Sequence, residues 1–225
     1  MLKKILAMTT LIFLMHSQSN ATSYNDTIPP QTSGVWINNP NNLNFDSQYY
    51  IESDTADAIR FDSEYYRRSW TNKISSYSRN KLVATTEFLR QGETYDSWTR
   101  MLTFIRYDNA KKAADVVNPY MDLVRPMLVT KPVVYSQPNT GFKEDILIKM
   151  SLLSPDNTYS EFILHRIVSN KVKPVRSIIF SLRMPVGQNV DYDRLLSNKG
   201  IWMEELGEMN LFEIEKLTIN KNENR

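Results

Sequence analysis

Apolar side chains recur along the chain with two different periods, and each change of period marks a new element. Lys81 to Arg90 (Lys-Leu-Val-Ala-Thr-Thr-Glu-Phe-Leu-Arg) is β-rich and stops at Gln91-Gly92-Glu93-Thr94. This predicts a strand ending in a turn, with Thr94 placed to start one short helical turn over Tyr95–Trp98. Arg100 to Tyr107 is apolar on both parities, as in a strand buried on both faces. From Asn109 the period lengthens: Ala110, Ala113, Ala114, Val117, Met121, Val124 and Leu128 recur at spacings of three, four and seven, the stripe of an amphipathic helix. Asn118-Pro119 interrupts it as a cap followed by a first-turn proline, which predicts two short helices or one kinked one.

Three further strands are expected over Glu144–Leu153, Tyr159–Val168 and Val175–Met184. The first two are separated by Ser154-Pro155-Asp156-Asn157-Thr158, a loop whose length and turn residues predict an antiparallel hairpin. Asp191–Leu206 carries Tyr192, Leu195, Leu196, Met203 and Leu206 at helical spacing, with Gly200 weakening its middle. The order strand, strand, helix, three strands, helix predicts an α+β fold. The expected architecture is an antiparallel sheet covered by helices on both faces, an α/β/α sandwich.

The ends read differently. Lys3 and Lys4, the apolar run Ile5–Met15 and the small pair Ser19 and Ala21 have the three-part layout of a secretory signal over residues 1–21. The apolar run is too short for the roughly 20 residues a membrane-spanning helix needs. Residues 22–47 are rich in Ser, Thr, Asn and Pro and read as a flexible leader, with Val35-Trp36-Ile37 available to dock on the domain. Residues 48–219 are expected to form one α+β domain, and 220–225 a disordered polar tail. Phe45-Asp46-Ser47-Gln48-Tyr49-Tyr50 is echoed by Phe61-Asp62-Ser63-Glu64-Tyr65-Tyr66, too few copies for a repeat architecture.

Charge and composition sharpen this picture. The 225 residues carry 27 Lys+Arg and 25 Asp+Glu, no Cys and two His. Removal of residues 1–21 takes Lys3, Lys4 and His16, leaving 25 basic and 25 acidic residues and a single imidazole, His165. A neutral exported chain gives no electrostatic reason for a nucleic-acid partner. Export without Cys fits a bacterial periplasm better than a disulfide-forming eukaryotic route. Outside residues 1–21 no apolar stretch is long enough to predict an integral membrane span.

Glu87-Phe88-Leu89-Arg90-Gln91-Gly92-Glu93-Thr94-Tyr95-Asp96-Ser97-Trp98-Thr99-Arg100-Met101-Leu102-Thr103 resembles a pattern in small exported bacterial proteins. In these a strand ends in Gly-Glu-Thr, a Trp follows four residues after the Thr, and the next strand opens with a hydrophobic-Thr pair. Such proteins resemble the PsbP-like α/β/α sandwich. The resemblance covers about residues 80–205 in element order. It implies a fold that binds or stabilises protein assemblies and brings no catalytic residues.

The chemistry of the chain points the same way. His165 stands inside an apolar strand beside Leu164 and Ile167, as a structural histidine does, and no Gly-x-Ser-x-Gly elbow accompanies it. Neither a metal-ligand spacing nor a glycine-rich phosphate cradle occurs, so no metal and no cofactor are expected. Asp54/Asp57 and Asp191/Asp193 lack calcium-loop spacing. Glu204-Glu205 and Glu213/Glu215 read as a solvated acidic surface. Tyr65, Tyr66, Arg67, Arg68 and Trp70 interleave aromatic and cationic groups, the residue types that anchor interfaces; burial of one strand face is the competing reading. Gly92, Thr94 and Trp98 read as a structural turn with Trp98 as its plug. The expected function is that of a periplasmic, non-catalytic protein-binding or accessory component of an envelope or secretion assembly. An immunity protein against a periplasmic toxin is a close alternative. A cell-wall or lipid hydrolase built on two carboxylates is the alternative from another class, and it requires a cleft with two acids of raised pKa.

Overall fold

The computed structural model describes residues 58–76, 81–136, 142–170, 174–187 and 190–219. The expected export segment 1–21 and leader 22–47 with Val35–Ile37, the first copy of the echo at Phe45–Tyr50 and the expected tail 220–225 lie outside the described residues.

Eight strands form one antiparallel sheet: β1 (Ala58–Phe61), β2 (Glu64–Ser76), β3 (Lys81–Arg90), β4 (Arg100–Tyr107), β5 (Val133–Ser136), β6 (Glu144–Leu153), β7 (Tyr159–Ser169) and β8 (Val175–Pro185). Their spatial order is β1-β2-β3-β4-β8-β7-β6-β5. The hairpin across Ser154–Thr158 pairs Leu153 with Ser160 and runs out to Glu144 opposite Ser169. The second hairpin, β1–β2, turns through Asp62 and Ser63, whose φ values of 52° and 59° are those a two-residue hairpin turn demands.

The α-helices are α1 (Ala114–Val124), α2 (Tyr192–Leu195), α3 (Lys199–Glu208) and α4 (Leu211–Ile219). On one face of the sheet, here the front, α3 and α4 pack Trp202, Leu206, Met209, Leu211 and Ile214 against Phe61, Phe104, Phe162 and Phe180. On the back face α1 packs Val116, Val117, Tyr120 and Val124 against Ile148, Ile163, Ile167 and Ile179.

The expected α/β/α sandwich of PsbP-like type is therefore corrected: the protein is mostly one large antiparallel sheet with few helices. The dimensions show why these helices make no covering layers. Eight strands span about 34 Å at the usual strand spacing. A helix is roughly 10 Å wide, and the longest here, 11 residues, is about 16 Å long. Two departures from the sequence pattern reduce the helical share. The stripe from Ala110 to Leu128 becomes helical only at Ala114 and ends in a 3-10 turn at Arg125–Met127. Pro119 sits inside this one helix and does not open a second. The stretch Asp191–Leu206 is broken at Leu196–Asn198. Conversely, β1, β2 and β5 add strands at both margins of the sheet.

Polar clips join the helices to the sheet. Glu144 on β6 accepts from the backbone N–H of Ala113 at 2.6 Å, satisfying a donor at the start of α1. Glu215 on α4 bridges Arg106 of β4 and Arg176 of β8. Arg176 also stacks on Phe212 with its Cζ 4.1 Å from the ring centroid. Arg166 of β7 pairs with Asp145 of β6 through Nε (3.0 Å) and Nη2 (2.7 Å). Its Nη1 donates to the carbonyls of Leu206 (3.0 Å) and Met209 (2.7 Å), filling acceptors at the end of α3.

Candidate functional site

The aromatic-cationic run on β2 is not one surface. Strand side chains alternate between faces, and Tyr66 points into the front core, fully buried and edge-on to Phe61. Burial raises its phenol pKa above the ordinary value. Tyr65 is partly buried, Arg67 is exposed, and Arg68 is partly buried. The side chain of Trp70 lies outside the described residues, although its backbone pairs with Glu87 beyond a register shift.

The Gly-Glu-Thr turn is built by its own side chains. Gly92 has φ +89°, a conformation open to glycine at little steric cost. Glu93 gathers the Arg90 guanidinium at 3.0 Å, the Thr99 hydroxyl and the Arg100 backbone N–H at 3.3 Å. Thr94 and Ser97 close the following turn through their hydroxyls, 2.9 Å apart. Trp98 is then buried against Leu89 and Met101. Gly92→Ala is expected to lower stability by about 1–2 kcal/mol through backbone strain. No neighbour stands within 4 Å of the added Cβ, so Gly92→Asn, which tolerates left-handed backbone, should lose less; thermal unfolding of the pair measures this.

The loop that carries Trp98 brings it to the residue of greatest interest, Arg183 on β8. The Arg183 guanidinium carbon lies 3.9 Å from the Trp98 ring centroid and 4.2 Å from that of Tyr159, at the start of β7. The cation is held between two rings. Directly opposite on β7 is Glu161. Burial pushes the Glu161 carboxyl up to about 7, with the Arg183 charge only partly offsetting this. No ion pair closes between the two.

The register lays out the rest of the back face. His165 on β7, Ile179 on β8, Thr103 on β4 and Glu87 on β3 form one row across four strands. Ser181 stands opposite Ile163, between Glu161 and His165. Serine, histidine and glutamate thus approach one another on one face, yet no triad forms. The Ser181 hydroxyl and both His165 ring nitrogens lack partners. Burial lowers the His165 pKa to about 3, too weak a base for work near neutrality. Its ring packs T-shaped against Tyr120 at 4.5 Å. Thr85 and Thr103 add further buried hydroxyls without protein partners.

Glu87 also has a raised pKa, chiefly from burial and despite a hydrogen bond from Tyr95. It shares the back face with Glu161, as a carboxylate hydrolase would require. However, the two are three strands apart and four residues apart along the strand direction. That places their backbones about 19 Å apart, against the roughly 5–9.5 Å between carboxyls in glycosidases. They do not form such a pair.

Among the described residues no three His, Asp or Glu side chains converge in a way that could hold a metal. No described helix is long and apolar enough to cross a membrane. Comparison of the chain with protein-family models, curated proteins and solved structures gives no match, so the PsbP-like resemblance has no support beyond the residues quoted for it.

Glu161 and Arg183 each sit in an apolar strand with no local motif, so the sequence pattern does not single them out. A signal did exist. β7 and β8 are joined by the short connection 170–174, and a hairpin closed there sets 161 opposite 183.

Proposed function

We propose that this chain is a non-catalytic, exported protein that binds another protein of the cell envelope. The end of the sheet that holds the Arg183 clamp is the docking surface. One observation carries the reading. The large apolar side chains that are exposed among the described residues, Tyr95, Val129, Val186, Tyr192, Leu195 and Ile201, are 37–55% exposed, and the first four lie at that end. Tyr95 is in the β3–β4 loop, and Val129 bonds Ser151 near the β6–β7 turn. Val186 follows β8, and Tyr192 donates to the Pro185 carbonyl. Tyr159 and Arg183, both only partly buried, are of the residue types that dominate binding energy at interfaces. Exposed apolar side chains gathered in one region are a usual mark of a protein-binding surface. The periplasmic placement rests on the layout of residues 1–21.

Photo-crosslinking residues placed at Tyr95, Val186 and Tyr192, with controls at Lys111 and Lys143 on the opposite end, test this in the native host. The expected result is one common crosslinked protein from the first three positions and none from the controls. Equal capture from both ends, or no specific product, would overturn the reading.

A further inference from the structure

We propose that Arg183 receives a carboxylate from an acidic segment of the partner protein, and that Glu161 is the internal acid that competes with it. This deepens the protein-binding reading and rests on it. A guanidinium held between rings has its two faces occupied but keeps its in-plane N–H groups, which match the oxygens of a carboxylate. The Arg183 Nε is buried and has no partner, so an incoming carboxylate meets the Nη groups, which Glu161 does not bond despite the facing register. Asp156, whose charge acts on Tyr159, has its carboxylate engaged by the Ser154 and Thr158 hydroxyls and by the Thr158 N–H. The clamped cation is therefore oriented, partly desolvated and not bonded to an acid of its own chain.

The groups facing Glu161 identify which of them changes charge near neutrality. β8 contributes Arg183 and β6 contributes Leu152. α1 contributes Tyr120, and the same strand contributes Tyr159 and His165. Both phenols are raised by burial, and His165 is neutral because burial lowers its pKa to about 3. Glu161 is the member of this set that titrates near pH 7. Ionised, it offsets the field of Arg183 and repels an incoming carboxylate; protonated, it does neither. Binding should therefore tighten as pH falls through 7.

The test follows the Arg183 Nε–Hε resonance of the full chain during titration with an acetylated Asp/Glu hexapeptide. A Lys hexapeptide and inorganic phosphate are titrated in parallel, each at pH 6 and pH 8. The acidic peptide is expected to give a saturable shift, with affinity about fivefold higher at pH 6, the effect of one unit charge a few ångströms away in a partly exposed site. Glu161→Gln should bind at pH 8 as the parent does at pH 6. Arg183→Lys, which retains charge without the planar fork, should bind the acidic peptide at least fivefold more weakly, read in parent and variant alike from the indole N–H resonance of Trp98, whose ring lies 3.9 Å from the Arg183 guanidinium carbon. Preference for the Lys peptide, phosphate binding as tightly as the peptide, or an affinity indifferent to pH would each overturn the inference. If crosslinking from Tyr192 persists while the acidic peptide fails, this inference falls and the protein-binding reading stands. If both fail, the reading itself falls.

Discussion

Arg166→Ala is expected to remove about 3–5 kcal/mol of stability, the effect of leaving a buried charge without its partner. Arg166 and Asp145 are 2% and 3% exposed, so water cannot take over the lost contacts. The variant strands the Asp145 carboxylate between strands and leaves the Leu206 and Met209 carbonyls without their donor. Because a domain is stable by only about 5–15 kcal/mol, a large part of the folded margin should go. Urea unfolding reads the effect as a fall in midpoint with little change in slope. The double variant Asp145→Leu/Arg166→Met replaces the pair with apolar groups and should lose distinctly less than the single one, since a buried ion pair is worth little against a packed apolar substitute. A single-variant loss under about 1 kcal/mol would show that solvent reaches the pair.

Glu161→Gln is expected to stabilise the protein, and only above acidic pH. The folded carboxyl titrates at about 7, above its ordinary 4.5. The neutral form is thus favoured by folding, so this group's contribution is fully present below pH 4.5 and is lost as pH rises through 7. A shift of this size corresponds to about 3 kcal/mol, reduced by the partial exposure of the residue. The Gln variant should unfold with nearly the parent's midpoint at pH 4.5. It should become more stable than the parent as pH rises toward 7, and the gain should level off by pH 8. A uniform gain at all pH values would mean that packing, and not the charge, is responsible. The same substitution at pH 8 is expected to strengthen acidic-peptide binding, so stability and binding should respond to one proton.

The central strands were legible because they are buried on both faces. Arg100–Tyr107, Glu144–Leu153 and Tyr159–Val168 are runs of large apolar and β-branched residues between turn formers, and burial leaves them little freedom to be anything else. The same physics placed the Ser154–Thr158 hairpin. The margins were not legible. β2 (Glu-Tyr-Tyr-Arg-Arg-Ser-Trp) is a polar strand whose aromatics divide between two faces, so its inward Tyr66 looked like part of a surface motif. Helix lengths were overestimated because an apolar stripe shows which face can pack, while caps and neighbouring strands decide where a helix begins. For α1 that start is set by Glu144, a residue on β6.

The clamp at Arg183 belongs wholly to the second category. From the sequence Trp98 reads as the plug of a turn; the structure buries it against Leu89 and Met101, and its contact with a cation has no signature in the local pattern. Glu161, Arg183, Tyr159 and Trp98 come from two strands and a loop, and none is a close neighbour of all the others along the chain. Their meeting depends on the register of β7 against β8 and on the fold of the 91–99 loop over the back face. The sequence by itself determined the inner strands, the hairpin and the special backbone at Gly92, since local pattern and backbone sterics suffice for these. Only the tertiary structure decided that one broad sheet would carry a few short helices. It also decided that a lone arginine would sit between two rings beside an acid poised to lose its proton near pH 7, because cross-strand register and desolvation are properties of the packed chain.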